Sequence, residues 1–81
     1  MYLADWCPFC RRAKELLRSK GITEIEEIHV RLDTAGRAEL AAQTGRRTVP
    51  QIYIGATHVG GYAELHALER AGTLDSLLAA G

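Results

Sequence analysis

Cys7-Pro8-Phe9-Cys10 is the stretch of this sequence best equipped to do chemistry. The chain has two cysteines, and both fall there. Two thiols three residues apart at the start of a helix lie on one turn and can close into a disulfide. The closed loop is tiny, so its worth as a structural staple is small. A structural bridge would join distant segments, whereas this pair suits reversible redox work. The plainer readings are two incidental thiols or half of a zinc site. Zinc asks for four ligands, and no second cysteine pair exists. His29, His58 and His66 fall on a strand, a hairpin and a helix in the reading below. They are taken as ordinary surface or partly buried residues, and no metal is expected.

Position divides the labour between the thiols. Cys7 precedes the helix, where free backbone N–H groups and the macrodipole favour an anion. Pro8 suits the first helical position because its missing N–H would have had no partner there. Arg11 and Arg12 add positive charge, screened where they are exposed. Each effect favours a thiolate at Cys7. Cys10, one turn inside on the apolar side, is expected to be buried and to stay a thiol. Cys7 therefore attacks and Cys10 resolves.

The elements that must hold this pair are legible in the apolar spacing. Met1–Leu3 reads as a short strand. Ala13, Leu16 and Leu17, after Phe9 or Cys10, form the apolar stripe of a helix from about Pro8 to Lys20, with Gly21 as its C-terminal cap. Ile28, Val30 and Leu32 alternate with Glu27, His29 and Arg31, which predicts a half-buried strand. Thr34 is placed to cap a second helix, Ala35–Thr44, that Gly45 ends. Gln51–Ile54 and Thr57–Val59, joined by Gly55-Ala56, read as a hairpin. Tyr62, Leu65 and Leu68 mark a third helix ending at Gly72, and Thr73 caps a last one carrying Leu74, Leu77 and Leu78. The order is β-α-β-α-β-β-α-α. The first strand, crossover helix and second strand imply a parallel pair, and the hairpin adds antiparallel strands.

Size and composition bound the function. Eighty-one residues at 8.9 kDa make a single domain, 1–81, with one modest core. Hydrophobic residues are 47% and charged residues 25%, so disorder is excluded. Ten Lys and Arg balance ten Asp and Glu, which gives no electrostatic case for a nucleic-acid partner. Arg11, Arg12, Lys14, Arg18 and Lys20 nevertheless crowd beside Glu15 alone. That cluster is read first as a solvated helix face, and second as a charged surround to the thiols. No apolar run is long enough for a membrane helix. No signal-peptide pattern is seen, so a cytoplasmic protein is expected. A monomer is the default expectation.

Three motifs together resemble the glutaredoxins, most closely the small bacterial dithiol type. They are Cys7-Pro8-Phe9-Cys10-Arg11-Arg12-Ala13-Lys14, Arg47-Thr48-Val49-Pro50-Gln51-Ile52-Tyr53-Ile54, and Val59-Gly60-Gly61-Tyr62-Ala63-Glu64-Leu65. A lone CxxC would be a weak signal, but three motifs at family spacing are a strong one. The resemblance runs from Tyr2 to about Leu78. It implies an α/β thioredoxin fold with a four-stranded mixed sheet flanked by helices. It also implies a glutathione-dependent thiol–disulfide oxidoreductase that reduces protein–glutathione mixed disulfides and protein disulfides. Glutathione is then a co-substrate, with no permanently bound cofactor.

The resemblance carries over residue by residue. Pro50 matches a family proline with a cis peptide bond. With Thr48 and Val49 it holds the cysteinyl part of glutathione, and the free backbone of Val49 suits pairing with an extended peptide. Gly61, Tyr62 and Ala63 match the helix start that takes the γ-glutamyl carboxylate on backbone amides. Glu64 matches the acid that meets the γ-glutamyl ammonium, and is equally a first-turn acid favourable to the dipole. Arg37 matches a position that grips the glycine carboxylate, and Phe9 an aromatic wall. The chain departs from the family at Ala4, where a Lys is common, and at Ala63 and Glu64, where hydroxyl or Asp residues are common. Trp6 beside Cys7 resembles mycoredoxins instead. Alternatives are therefore the same chemistry with mycothiol or thioredoxin reductase as reductant, or an iron–sulfur cluster carrier. Pro8 argues against the carrier.

Overall fold

The computed structural model describes residues 1–80, and the final glycine of the 1–81 range lies outside them. Its elements are β1 (Tyr2–Leu3), α1 (Pro8–Ser19), β2 (Ile28–His29), α2 (Thr34–Thr44), β3 (Ile52–Ile54), β4 (Thr57–Gly60), α3 (Tyr62–Arg70) and α4 (Leu74–Ala80). The order is the one the apolar spacing predicts. Among the described residues no helix is long and apolar enough to cross a membrane.

The four strands form two pairs. β1 and β2 are parallel, with Tyr2 opposite Ile28 and Leu3 opposite His29. β3 and β4 are antiparallel, with a bulge between Ile52 and Tyr53. A single antiparallel bridge, Tyr2 to Gln51, joins the pairs. Its two amides exchange bonds with the opposite carbonyls at 2.8 and 3.0 Å. The result is the mixed arrangement β2-β1-β3-β4, in which β1, β2 and β3 are shorter than the alternation suggests and β4 is one residue longer.

One face of this sheet carries the main core. Met1, Leu3, Cys10, Ala13, Leu17, Ile52, Ile54, Leu65 and Leu74 pack there, drawn from β1, α1, β3, α3 and α4. Leu65 and Leu74 are completely buried and Ile52 nearly so, each contributing about 1.5–3 kcal/mol by leaving water. In α1 the buried residues Cys10, Ala13 and Leu17 fall at helical spacing, which fixes the helix against the sheet. α2 buries only Gly36 and Leu40. Gly36 is required there, since a Cβ would fall on the Arg31 carbonyl.

Two local expectations are corrected. α2 is capped by Asp33, with Thr34 already helical; the Asp33 carboxylate accepts from the Gly36 N–H at 2.7 Å. A carboxylate serves better than a hydroxyl at a positive helix end. The second strand is not half-buried. Ile28 and His29 are both exposed, and Leu32 lies beyond the strand in the open. The alternation is real, but a two-residue partner strand cannot cover it.

Candidate active site

Cys7 is the N-cap of α1, in extended backbone with φ −97° and ψ 109°. Its sulfur accepts the Cys10 N–H at 3.3 Å, so the thiol occupies the place of a capping side chain. That is the sequence's doing. Pro8 begins the helix with no N–H to satisfy, and the next free amides point back at position 7. Cys7 is half-buried and Cys10 is 2% exposed; both are free thiols. Burial pushes the Cys10 thiol up to about 12, helped by its hydrogen bond to, and charge repulsion from, Cys7. Cys10 is therefore a neutral thiol one turn beyond a half-buried one, as its place on the helix implies.

The second jaw comes from the other strand pair. The Val49–Pro50 bond is cis, and the Val49 carbonyl lies 3.9 Å from the Cys7 sulfur. Pro50 is buried at the entry to β3. A Cβ on Gly61 would sit 3.6 Å from the Pro50 carbonyl, so the start of α3 lies directly beside this turn. Gly60 has φ +110°, and a side chain there would meet Glu64. The Tyr62 ring stands 6.2 Å from that of Phe9, closing the circle back to α1. Phe9 is 52% exposed with the Arg12 guanidinium 5.5 Å above its ring.

Phe9, Val49, Pro50, Gly61 and Tyr62 are thus brought together around the Cys7 thiol. Ala63 is exposed on the first turn of α3. Glu64 is committed in part. Its Oε1 accepts the Arg46 guanidinium at 2.8 Å and the Gly61 N–H at 3.1 Å. Arg46 first, then Gly61, holds this carboxyl below its ordinary value. Oε2 makes no such bond among the described residues. Arg37 donates to the carbonyls of Leu32 and Arg47 at 3.0 and 2.9 Å. It therefore braces the approach to Thr48 instead of reaching Cys7. Thr48 is exposed, and its carbonyl and hydroxyl accept from the buried Gln51 amide.

Arg46 and Gln51 are the residues that sequence reasoning missed. Arg46 sits in a run of loop cations with no periodicity to single it out. Gln51 reads as the polar face of a strand, yet it is completely buried. Trp6, at φ +63° and 93% exposed, projects beside Cys7 without packing on it. Two cavities of about 620 and 580 Å³ lie elsewhere, and neither cysteine lines them. The Cys7 thiol lies outside both cavities, on a face where Phe9 and Thr48 are exposed.

The glutaredoxin family model matches residues 1–59. The chain belongs to the glutaredoxin family. A glutaredoxin from Pseudomonas aeruginosa is 56% identical over 80 residues, covering 99% of this chain and 94% of that one. Glutaredoxin 3 from Escherichia coli is 46% identical, covering 96% and 93%. Among solved structures, the Brucella melitensis glutaredoxin is similar at TM-score 0.77 and 51% identity, covering 95% of this chain and 83% of that one. A buckwheat glutaredoxin–glutathione complex is similar at 0.75 and 31%, covering 96% and 73%. This chain is accordingly a thiol–disulfide oxidoreductase of thioredoxin fold. The family resemblance drawn from three motifs is correct.

Proposed function

We propose that this glutaredoxin acts as a single domain, monomeric and cytoplasmic, and reduces glutathionylated proteins and protein disulfides with glutathione. The observation that carries the reading is the half-buried Cys7 at the helix start, with buried Cys10 on the next turn and the Val49 carbonyl beside its sulfur. The buckwheat complex supports glutathione as the reductant.

In the first route the Cys7 thiolate attacks the glutathione sulfur of a mixed disulfide. The protein–glutathione S–S bond breaks, the protein leaves as a thiol after taking a proton, and Cys7 is glutathionylated. A second glutathione thiolate attacks the bound glutathionyl sulfur. Cys7 is released, and glutathione disulfide carries off the two electrons' worth of oxidation. In the second route Cys7 attacks a protein disulfide, and Cys10 then attacks Cys7. The Cys7–Cys10 disulfide that results is reduced by two glutathiones. Once Cys7 is in a mixed disulfide its charge and its acceptor role are gone. Two of the three effects holding Cys10 protonated go with them.

The site fits glutathione in parts. The Val49 backbone pairs with the cysteinyl residue, with Thr48 and Pro50 shaping the turn. The Tyr62 and Ala63 amides at the Gly61 helix start receive the γ-glutamyl carboxylate. Glu64 Oε2 takes the ammonium while Oε1 keeps Arg46. Arg37 has N–H groups to spare for the glycine carboxylate, and Phe9 forms the wall.

The test is turnover of a glutathionylated peptide with glutathione, NADPH and glutathione reductase. Wild type and Cys10→Ser are expected to be active and Cys7→Ser silent. A silent Cys10→Ser variant that is folded would overturn the division of roles. Silence of folded wild type would remove glutathione as the reductant.

A further inference from the structure

Among the described residues Gln51 is the one polar residue buried in the core, and its side chain is fully engaged. Its Nε2 donates to the Thr48 carbonyl at 2.8 Å and to the Thr48 hydroxyl at 3.2 Å. Its Oε1 lies 2.8 Å from His58 Nε2. The Thr48 carbonyl can only accept, which fixes the amide with its nitrogen toward Thr48. His58 Nε2 must then be the donor, in the neutral ring or the charged one alike. The His58 ring is held flat on Tyr53, centroids 4.5 Å apart and 10° from parallel. A chain of contacts therefore runs from the hairpin surface through the core. It ends at the residue before Val49, whose carbonyl faces Cys7.

We propose that His58 and Gln51 form a positioning relay that orders the Thr48-Val49-Pro50 turn and so sets the strength of glutathione binding. The inference rests on the glutathione reading above. His58 touches neither cysteine and takes no part in the thiol exchange. Without its proton donor, Gln51 Oε1 is left unpaired in the core, and the amide that holds Thr48 loses the bond that anchors its other end. The turn then samples orientations in which Val49 cannot pair with the tripeptide.

Two variants separate positioning from folding. His58→Phe keeps a ring on Tyr53 and deletes the donor. His58→Gln keeps a donor near the place of Nε2 and deletes the ring. In the glutathione-coupled assay, His58→Phe is expected to raise the glutathione KM by about three- to tenfold, the worth of one hydrogen bond, with kcat unchanged. His58→Gln should restore KM to near the wild-type value. In a Gln51→Leu background, His58→Phe should add nothing further, because the two act as one unit. Backbone order parameters at Thr48 and Val49, measured by nitrogen relaxation without glutathione, should fall in His58→Phe. A lowered melting temperature with unchanged KM and unchanged order parameters would overturn the relay and leave His58 a structural residue. Additive KM effects in the double variant would overturn it as well. If wild type does not turn over glutathione at all, the glutathione reading fails, and with it the binding role. The order parameters then still decide whether His58 braces the turn.

Discussion

At the residue scale the chemistry follows from where two sulfurs sit relative to one helix end. Cys7 takes the capping position and Cys10 the buried one. The consequence is a difference in reactivity that alkylation measures. In Cys7→Ser, where burial still disfavours the Cys10 thiolate, iodoacetamide should modify Cys10 at least about tenfold more slowly at pH 8 than it modifies Cys7 in Cys10→Ser. The Cys10 rate should climb only as the pH rises past the ordinary thiol value of 9.0, because burial alone still disfavours the thiolate. Equal rates would mean that Cys10 is not shielded. Both positions were legible from spacing alone, because helix periodicity places residues 7 and 10 in different environments. Glu64 was legible only in part. Its first-turn position shows in the sequence, but its bond to Arg46 crosses 18 residues and has no local signature. The same holds for Gln51 and His58. Strand alternation marks them as polar, and only the fold shows one buried against the other.

At the element scale, α2 is the lightly held helix. It buries two residues, and its start depends on Asp33. The Gly36 N–H first, and Arg31 second, hold the Asp33 carboxyl below its ordinary 3.8. A depressed carboxyl stabilises the fold above its unfolded value, and that contribution is lost as pH falls through the lower folded value. Asp33→Asn should therefore flatten the fall of melting temperature as the pH drops below the ordinary 3.8. Asp33→Ala should lower the melting temperature at neutral pH by a few degrees, the ordinary effect of removing a helix cap from a domain this small. An unchanged melting temperature in Asp33→Ala would show that the cap contributes nothing. The sequence pointed to a cap at this helix but to the neighbouring Thr34, because Asp and Thr are both good caps and nothing local ranks the two. The exposed β2 has a related cause. Period-two apolarity says which residues could be buried, while the length of the partner strand decides whether they are.

At the scale of the whole molecule, the site is made where two halves meet. One half, β1-α1-β2-α2, carries the nucleophile. The other, β3-β4-α3, carries the cis turn and the glycine pair. Their sheet contact is the Tyr2–Gln51 bridge, backed by the shared core of α1 and α3. Those two amides are therefore a built-in gauge of how firmly the halves hold together. In deuterated water they should exchange as a pair, at one rate set by a common opening, since neither bond can break by separation of the halves without the other. A ligand spanning both halves should slow the two equally, while leaving the exposed amides of the Gly55-Ala56 turn untouched. Divergent rates would show that the halves do not part as rigid units. Two protons on one backbone bridge thus keep a running record of whether the halves are docked or parted.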